Sequence, residues 1–126
     1  MAANQRLICP SASLEEGGQG VRFPLGDGER APVGFAIRHG GTVHAFVNRC
    51  PHMGTELDWQ PGEFFEESGL YLVCATHGAL FQPATGLCVA GPCKGASLEA
   101  LRTREENGRV LLLNDSDPAP APAGTP

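Results

Sequence analysis

Two short clusters, Cys50, Pro51, His52 and Cys74, Ala75, Thr76, His77, constrain this chain more than any other feature of its 126 residues. In each, a soft thiolate and a borderline imidazole lie one or two residues apart. A single tight loop can then aim two donors at one metal site, and two such loops supply four ligands. Each cluster runs into a turn containing glycine, Gly54 after the first and Gly78 after the second. Twenty-one residues separate His52 from Cys74 and contain no other Cys or His, so the four-ligand set is defined by the sequence itself.

Four ligands of this kind also suit zinc. The usual zinc-finger order, however, places two Cys in one half and two His on a helix in the other, whereas here each half carries one of each. Zinc has no need of that ordering. A diiron cluster does, when one iron takes both thiolates and the other both imidazoles, as in a Rieske centre. On the Cys-x-His and Cys-x-x-His-Gly boxes, residues 33–113 resemble a Rieske [2Fe-2S] domain. The run Leu80, Phe81, Gln82, Pro83, Ala84, Thr85, Gly86 and the later Gly91, Pro92 extend the resemblance. It implies that Cys50 and Cys74 bind one iron, that His52 and His77 bind the other, and that the chain holds one [2Fe-2S] cluster.

Composition narrows the setting. The length suits one domain with a single modest core. A net charge of −5 without Lys/Arg runs argues against nucleic acid or an anionic membrane surface and favours a basic partner. Residues 1–10 hold one Arg and no apolar run, so no export signal is expected, and no stretch approaches membrane-spanning length. The expected compartment is the cytoplasm. With two Cys assigned to the metal, Cys9, Cys88 and Cys93 form an odd remainder that does not read as a secreted disulfide framework.

Apolar residues alternate at Val21, Phe23, Leu25, at Val33, Phe35, Ile37 and at Val43, Ala45, Val47, which predicts half-buried strands. Gly40 and Gly41 supply a turn between the last two. Asn107 and Gly108 predict a hairpin joining 101–104 to 109–113, since both residues tolerate positive φ. An antiparallel meander is expected. Leu70 to Val73 reads as a strand delivering Cys74, and Val43 to Val47 as the one delivering Cys50, so each box follows a strand end. Brief helical turns are expected after Ser11 or Ser13 and over 97–101. Residues 114–126, in which Pro and Ala alternate over 118–123, read as a disordered, partly polyproline tail. The predicted fold class is all-β: an antiparallel sandwich or barrel base spanning 1–113, with a small cluster-binding subdomain inserted over about residues 49–92.

Between the boxes, 54–69 carries Asp58, Trp59, Phe64, Phe65 and the acids Glu56, Glu63, Glu66 and Glu67. The plain reading is a connector with a buried Trp and a solvated acidic face. The functional one is a docking surface that steers a basic partner. His39 and His44 read as surface histidines, Cys9 as core of the first strand, and Cys88 and Cys93 as buried or idle thiols, with a bridge across their short loop as the sharper alternative.

Charge counting explains the mixed ligand set that the resemblance implies. Two ferric irons, two sulfides, two thiolates and two neutral imidazoles sum to zero, so an added electron is better tolerated than with four thiolates. Each bound imidazole also keeps an N–H whose acidity follows the oxidation state. High-potential members of the family carry a Ser after the second His-Gly and a Tyr two residues later, both donating to sulfur. This chain has Ala79 and Phe81 there. It also lacks the extra Cys in each box that braces the two loops in those members. The pattern is closer to Rieske-type ferredoxins that serve oxygenases.

The expected function is therefore a soluble one-electron carrier taking electrons from a reductase and passing them to an oxygenase or other redox enzyme. No nucleophile, acid/base pair or phosphate loop marks it as an enzyme on its own. The alternatives are a small Rieske-like subunit of a larger oxidoreductase, as in nitrite reductases, and a structural zinc domain.

Overall fold

The computed structural model describes residues 5–25, 32–51, 55–58, 60–75 and 78–113. His52, Met53, Gly54, Trp59, Thr76, His77 and the Pro/Ala-rich stretch 114–126 lie outside the described residues. Ten strands are seen among those described: β1 (Gln5–Pro10), β2 (Val21–Pro24), β3 (Val33–His39), β4 (Thr42–Val47), β5 (Leu72–Val73), β6 (Leu80–Phe81), β7 (Cys88–Ala90), β8 (Ala100–Leu101), β9 (Thr103–Glu106) and β10 (Arg109–Leu113). They form three antiparallel sheets, ordered β1-β10-β9, β2-β3-β4-β8 and β5-β6-β7. The all-β expectation holds. The meander holds for β2-β3-β4, for β5-β6-β7 and for the β9-β10 hairpin, where Asn107 at φ 53° and Gly108 at φ 74° make the turn. The first sheet instead pairs the two ends of the described chain, Gln5 opposite Leu113 and Pro10 opposite Arg109.

The four-stranded sheet is the middle layer because β3 buries both faces. Phe35 and Ile37 point into one apolar cluster with Phe46, Leu57, Phe64, Leu72, Cys50 and Cys74. Ala36 points the other way, with Val43, Ala45, Phe23, Cys9 and Val110. Period-two alternation in the sequence thus serves two cores rather than a core and solvent. Arg38, at the end of β3, ties the first layer on: Nε donates to Leu14 O at 2.8 Å, Nη2 to Ser11 O at 3.2 Å, and Nη1 and Nη2 to the two Glu105 carboxylate oxygens at 3.1 and 2.7 Å.

Local expectations fail in four places. The turn after Ser11 is a single 3₁₀ turn, Ser11–Ser13, with no side-chain cap. Residues 97–101 form no turn. Ser97 bridges Leu87, and β8 pairs with β4, because the free edge of β4 takes any extended backbone beside it. Leu70 and Tyr71 are exposed and precede the strand, which is confined to Leu72 and Val73. His39 and His44 are half-buried rather than on the surface, and burial foremost, followed by His39, holds His44 below its ordinary value of 6.5.

Candidate metal centre

The two box cysteines are delivered as the strand pattern predicts, Cys50 three residues past β4 and Cys74 directly past β5. Both are fully buried at 0% exposure, in one apolar cluster. Thiolates in such a place are costly unless a metal neutralises them, so two buried sulfurs past the ends of consecutive strands are compatible with a metal centre. His52 and His77, expected as the other two ligands, belong to the undescribed residues.

Backbone bonds shape the two loops. In the first, Cys50 N–H donates to Thr55 O at 2.7 Å; in the second, Cys74 N–H donates to Ala79 O at 2.9 Å and Gly78 N–H to Cys74 O at 2.7 Å. Gly78 sits at φ 72°, which favours glycine directly after His77. A single residue joins the loops: Leu57 N–H donates to Asn48 Oδ1 at 2.8 Å, while Leu57 O accepts from Ala75 N–H at 2.9 Å.

Sequence reasoning missed the polar base of the first loop. Asn48 and Asp58 are the buried polar residues of the described chain, at 4% and 5% exposure. Asn48 Nδ2 donates to Asp58 Oδ1 at 2.9 Å, Gly62 N–H donates to Asp58 Oδ2 at 2.9 Å, and Arg22 Nη1 stands 3.7 Å from Asp58 Oδ2. The only hint in sequence was an Asn where an apolar strand ends.

Phe64 is a described aromatic that anchors the segment between the boxes; Trp59, expected to be buried there, lies outside the described residues. The Phe64 ring stacks on Phe35 with centroids 3.9 Å apart. The acids of the segment divide. Glu56 pairs with Arg22 at 2.8 Å. Glu66 accepts from the Ser68 hydroxyl and from Ser68 N–H, which holds its carboxyl below the usual range, the hydroxyl contributing most. Glu63, Glu66 and Glu67 line an open groove with Glu16, His39 and the exposed Leu70. Leu70 is four residues from Cys74, at most about 13 Å of extended chain.

Above the second box, Ala79 and Phe81 are both fully buried, and neither brings a hydroxyl. The loop after β7 packs on Ala79 so closely that a Cβ on Gly91 would lie 2.8 Å from Ala79 Cα. Cys93, next but one, is pushed up to about 12 by burial first, then by Cys88 and by Cys50.

These loops match a known pattern: the family model of the Rieske [2Fe-2S] domain covers residues 4–110. The chain belongs to the Rieske [2Fe-2S] domain family. Its cofactor is a [2Fe-2S] cluster, and the zinc alternative falls away. By sequence, no curated protein matches this Rieske domain. Among solved structures it is similar to the Sphingomonas yanoikuyae B1 ferredoxin, at 25% identity and TM-score 0.68, over 88% of this chain and 99% of that one. The ferredoxin of carbazole 1,9a-dioxygenase from Nocardioides aromaticivorans IC177 shares the fold at 21% identity and TM-score 0.69, over 90% and 100%. The terminal oxygenase of carbazole 1,9a-dioxygenase from Novosphingobium sp. KA1 aligns at 25% identity and TM-score 0.74, over 93% of this chain but 31% of the oxygenase.

Proposed function

We propose that this Rieske domain is a one-electron carrier that takes electrons from a reductase and delivers them to an oxygenase, with Cys50 and Cys74 on one iron and His52 and His77 on the other. The observation that carries the reading is the alignment with 99% of the Sphingomonas yanoikuyae B1 ferredoxin, at 25% identity. The cluster supplies reversible uptake of one electron. The chain's own residues hold and insulate it. Cys50 and Cys74 bring the thiolates in a dry environment, Leu57 ties the two loops together, and Ala79 and Phe81 close the second box without offering a hydroxyl.

In this reading, residues 49–92 act as the cluster-bearing unit, with β5-β6-β7 as its own small sheet, and the rest of 1–113 as its base. Cytoplasmic residence belongs to the same proposal. Among the described residues no helix is long and apolar enough to cross a membrane.

Protein purified without oxygen should contain two iron and two acid-labile sulfide per chain, and Cys50→Ala or Cys74→Ala should lose both. A full complement of iron and sulfide in either variant would overturn the ligand assignment. Failure of the reduced protein to pass electrons to any oxygenase of its own host would overturn the carrier role.

A further inference from the structure

Cys88 and Cys93 are used by nothing described so far, yet they are held against each other. Cys93 Sγ donates to Cys88 Sγ at 3.0 Å, and Cys88 Sγ donates to Ala90 O at 3.3 Å. The two are buried, at 2% and 8% exposure. The backbone sets this approach from both sides. Cys88 N–H donates to Ala96 O at 2.8 Å, Gly95 N–H to Cys88 O at 3.1 Å, and Ala96 N–H to Cys93 O at 2.9 Å. Gly91, Pro92, Lys94 and Gly95 are exposed, so Cys93 alone of 91–95 turns inward, onto the other sulfur. A covalent S–S bond is about 2.05 Å, so closure needs the sulfurs to approach by only about 1 Å.

We infer that Cys88 and Cys93 are a reversible thiol/disulfide site, a two-electron redox group built beside the one-electron cluster. The oxidant class is a small-molecule disulfide. Opening of the exposed 91–95 turn brings one sulfur of the pair to solvent, where it loses its proton and attacks one sulfur of that disulfide; a mixed disulfide forms, and one small thiolate leaves. The second cysteine then attacks the mixed disulfide, the Cys88–Cys93 bond forms, and the other small thiolate leaves. The pair gives up two electrons and two protons, and the small disulfide becomes two thiols. Closure pins the loop after β7 where Gly91 rests on Ala79. The thiol state of the surroundings is thereby written onto the cover of the second box. The inference goes beyond electron carriage and stands without the ligand assignment.

The test equilibrates the anaerobically purified holoprotein with glutathione buffers of graded oxidised-to-reduced ratio, then quenches in acid and alkylates the denatured chain with a maleimide. Alkylatable thiols should fall from the five of the sequence to three, return to five with dithiothreitol, and map by peptide mass to a Cys88–Cys93 bridge. Cys93→Ser and Cys88→Ser should each show four thiols at every ratio while folding, as circular dichroism reads. Five thiols at every ratio, or a bridge that maps to any other pair, would overturn the inference. So would an unchanged loss of thiols in both serine variants.

Discussion

Asn48 Nδ2 donates a 2.9 Å hydrogen bond to Asp58 Oδ1, and the two residues stand at the two feet of the loop that carries Cys50. Because the same Asn48 accepts from Leu57 N–H and Leu57 O accepts from Ala75 N–H, the bond also sets the height of the second loop. A buried amide and carboxylate are costly unless fully satisfied, and here each has more than one partner.

Removing Asn48 should therefore cost more than one contact. Asn48→Ala leaves Asp58 Oδ1 and Leu57 N–H without that partner, and a stability loss of about 2 kcal/mol is expected, in line with ~1–3 kcal/mol per unsatisfied buried group. Iron should also be released faster to a chelator. A denaturation midpoint unchanged within error, with unaltered iron release, would show the brace to be dispensable.

Two glycines separate backbone strain from contact. Gly91 and Gly95 have similar φ, 102° and 95°, but a Cβ at Gly91 meets Ala79 Cα at 2.8 Å while one at Gly95 meets nothing within 4 Å. Gly95→Ala should cost ~1 kcal/mol from the left-handed backbone alone. Gly91→Ala should cost roughly 1–3 kcal/mol more, because the neighbouring backbone must move. Urea unfolding of the two variants gives the difference directly; equal losses would refute the close packing of this loop on the second box.

The potential follows from Ala79 and Phe81. Neither donates to sulfur, so the added electron is poorly stabilised, and the midpoint should lie near the low end of the Rieske range, about −150 mV rather than about +300 mV. Ala79→Ser should raise it. Protein-film voltammetry reads both, and a wild-type midpoint above zero at pH 7 would contradict the account of the donors.

Stability should fall in two stages as pH is lowered. Burial holds His44 below 6.5, so the unfolded chain takes up this proton first; its contribution is complete above pH 6.5 and is lost as pH falls towards the folded value. The Arg38 hydrogen bond holds Glu105 below 4.5, so its contribution is complete above pH 4.5 and is lost as pH falls through the lower folded value. The difference between wild type and His44→Gln in denaturant unfolding should be largest near neutrality and shrink below pH 6.5. A difference independent of pH would exclude burial of the neutral ring.

Glu56 is paired with Arg22, so steering by the acidic groove should rest on Glu63, Glu67 and Glu66, whose carboxyl the Ser68 hydrogen bonds keep ionised. Replacing Glu63, Glu66 and Glu67 by Gln should slow electron delivery at about 0.01 M salt, where screening reaches ~30 Å, and have little effect at about 0.15 M, where it reaches ~8 Å. Equal rates at low salt would leave the groove without a role in encounter.

What the sequence determined by itself is local. A Cys and a His one or two residues apart, twice in the chain, read as metal loops from spacing alone, and alternation at 33–37 and 43–47 declares strands, because side-chain direction in extended backbone repeats every two residues. The Asn107–Gly108 hairpin belongs to the same class, its turn being a matter of two backbone conformations. Only the tertiary structure decided what depends on residues far apart in the chain. It paired β1 with β10, stacked Phe64 on Phe35, joined Asn48 to Asp58, and drew 100–101 into a strand that local preference would have left as a turn. It also set the sulfurs of Cys88 and Cys93 at 3.0 Å, a distance no spacing rule contains. Such contacts come from burial and from satisfying polar groups once water is excluded, and those free energies exist only after the layers have closed.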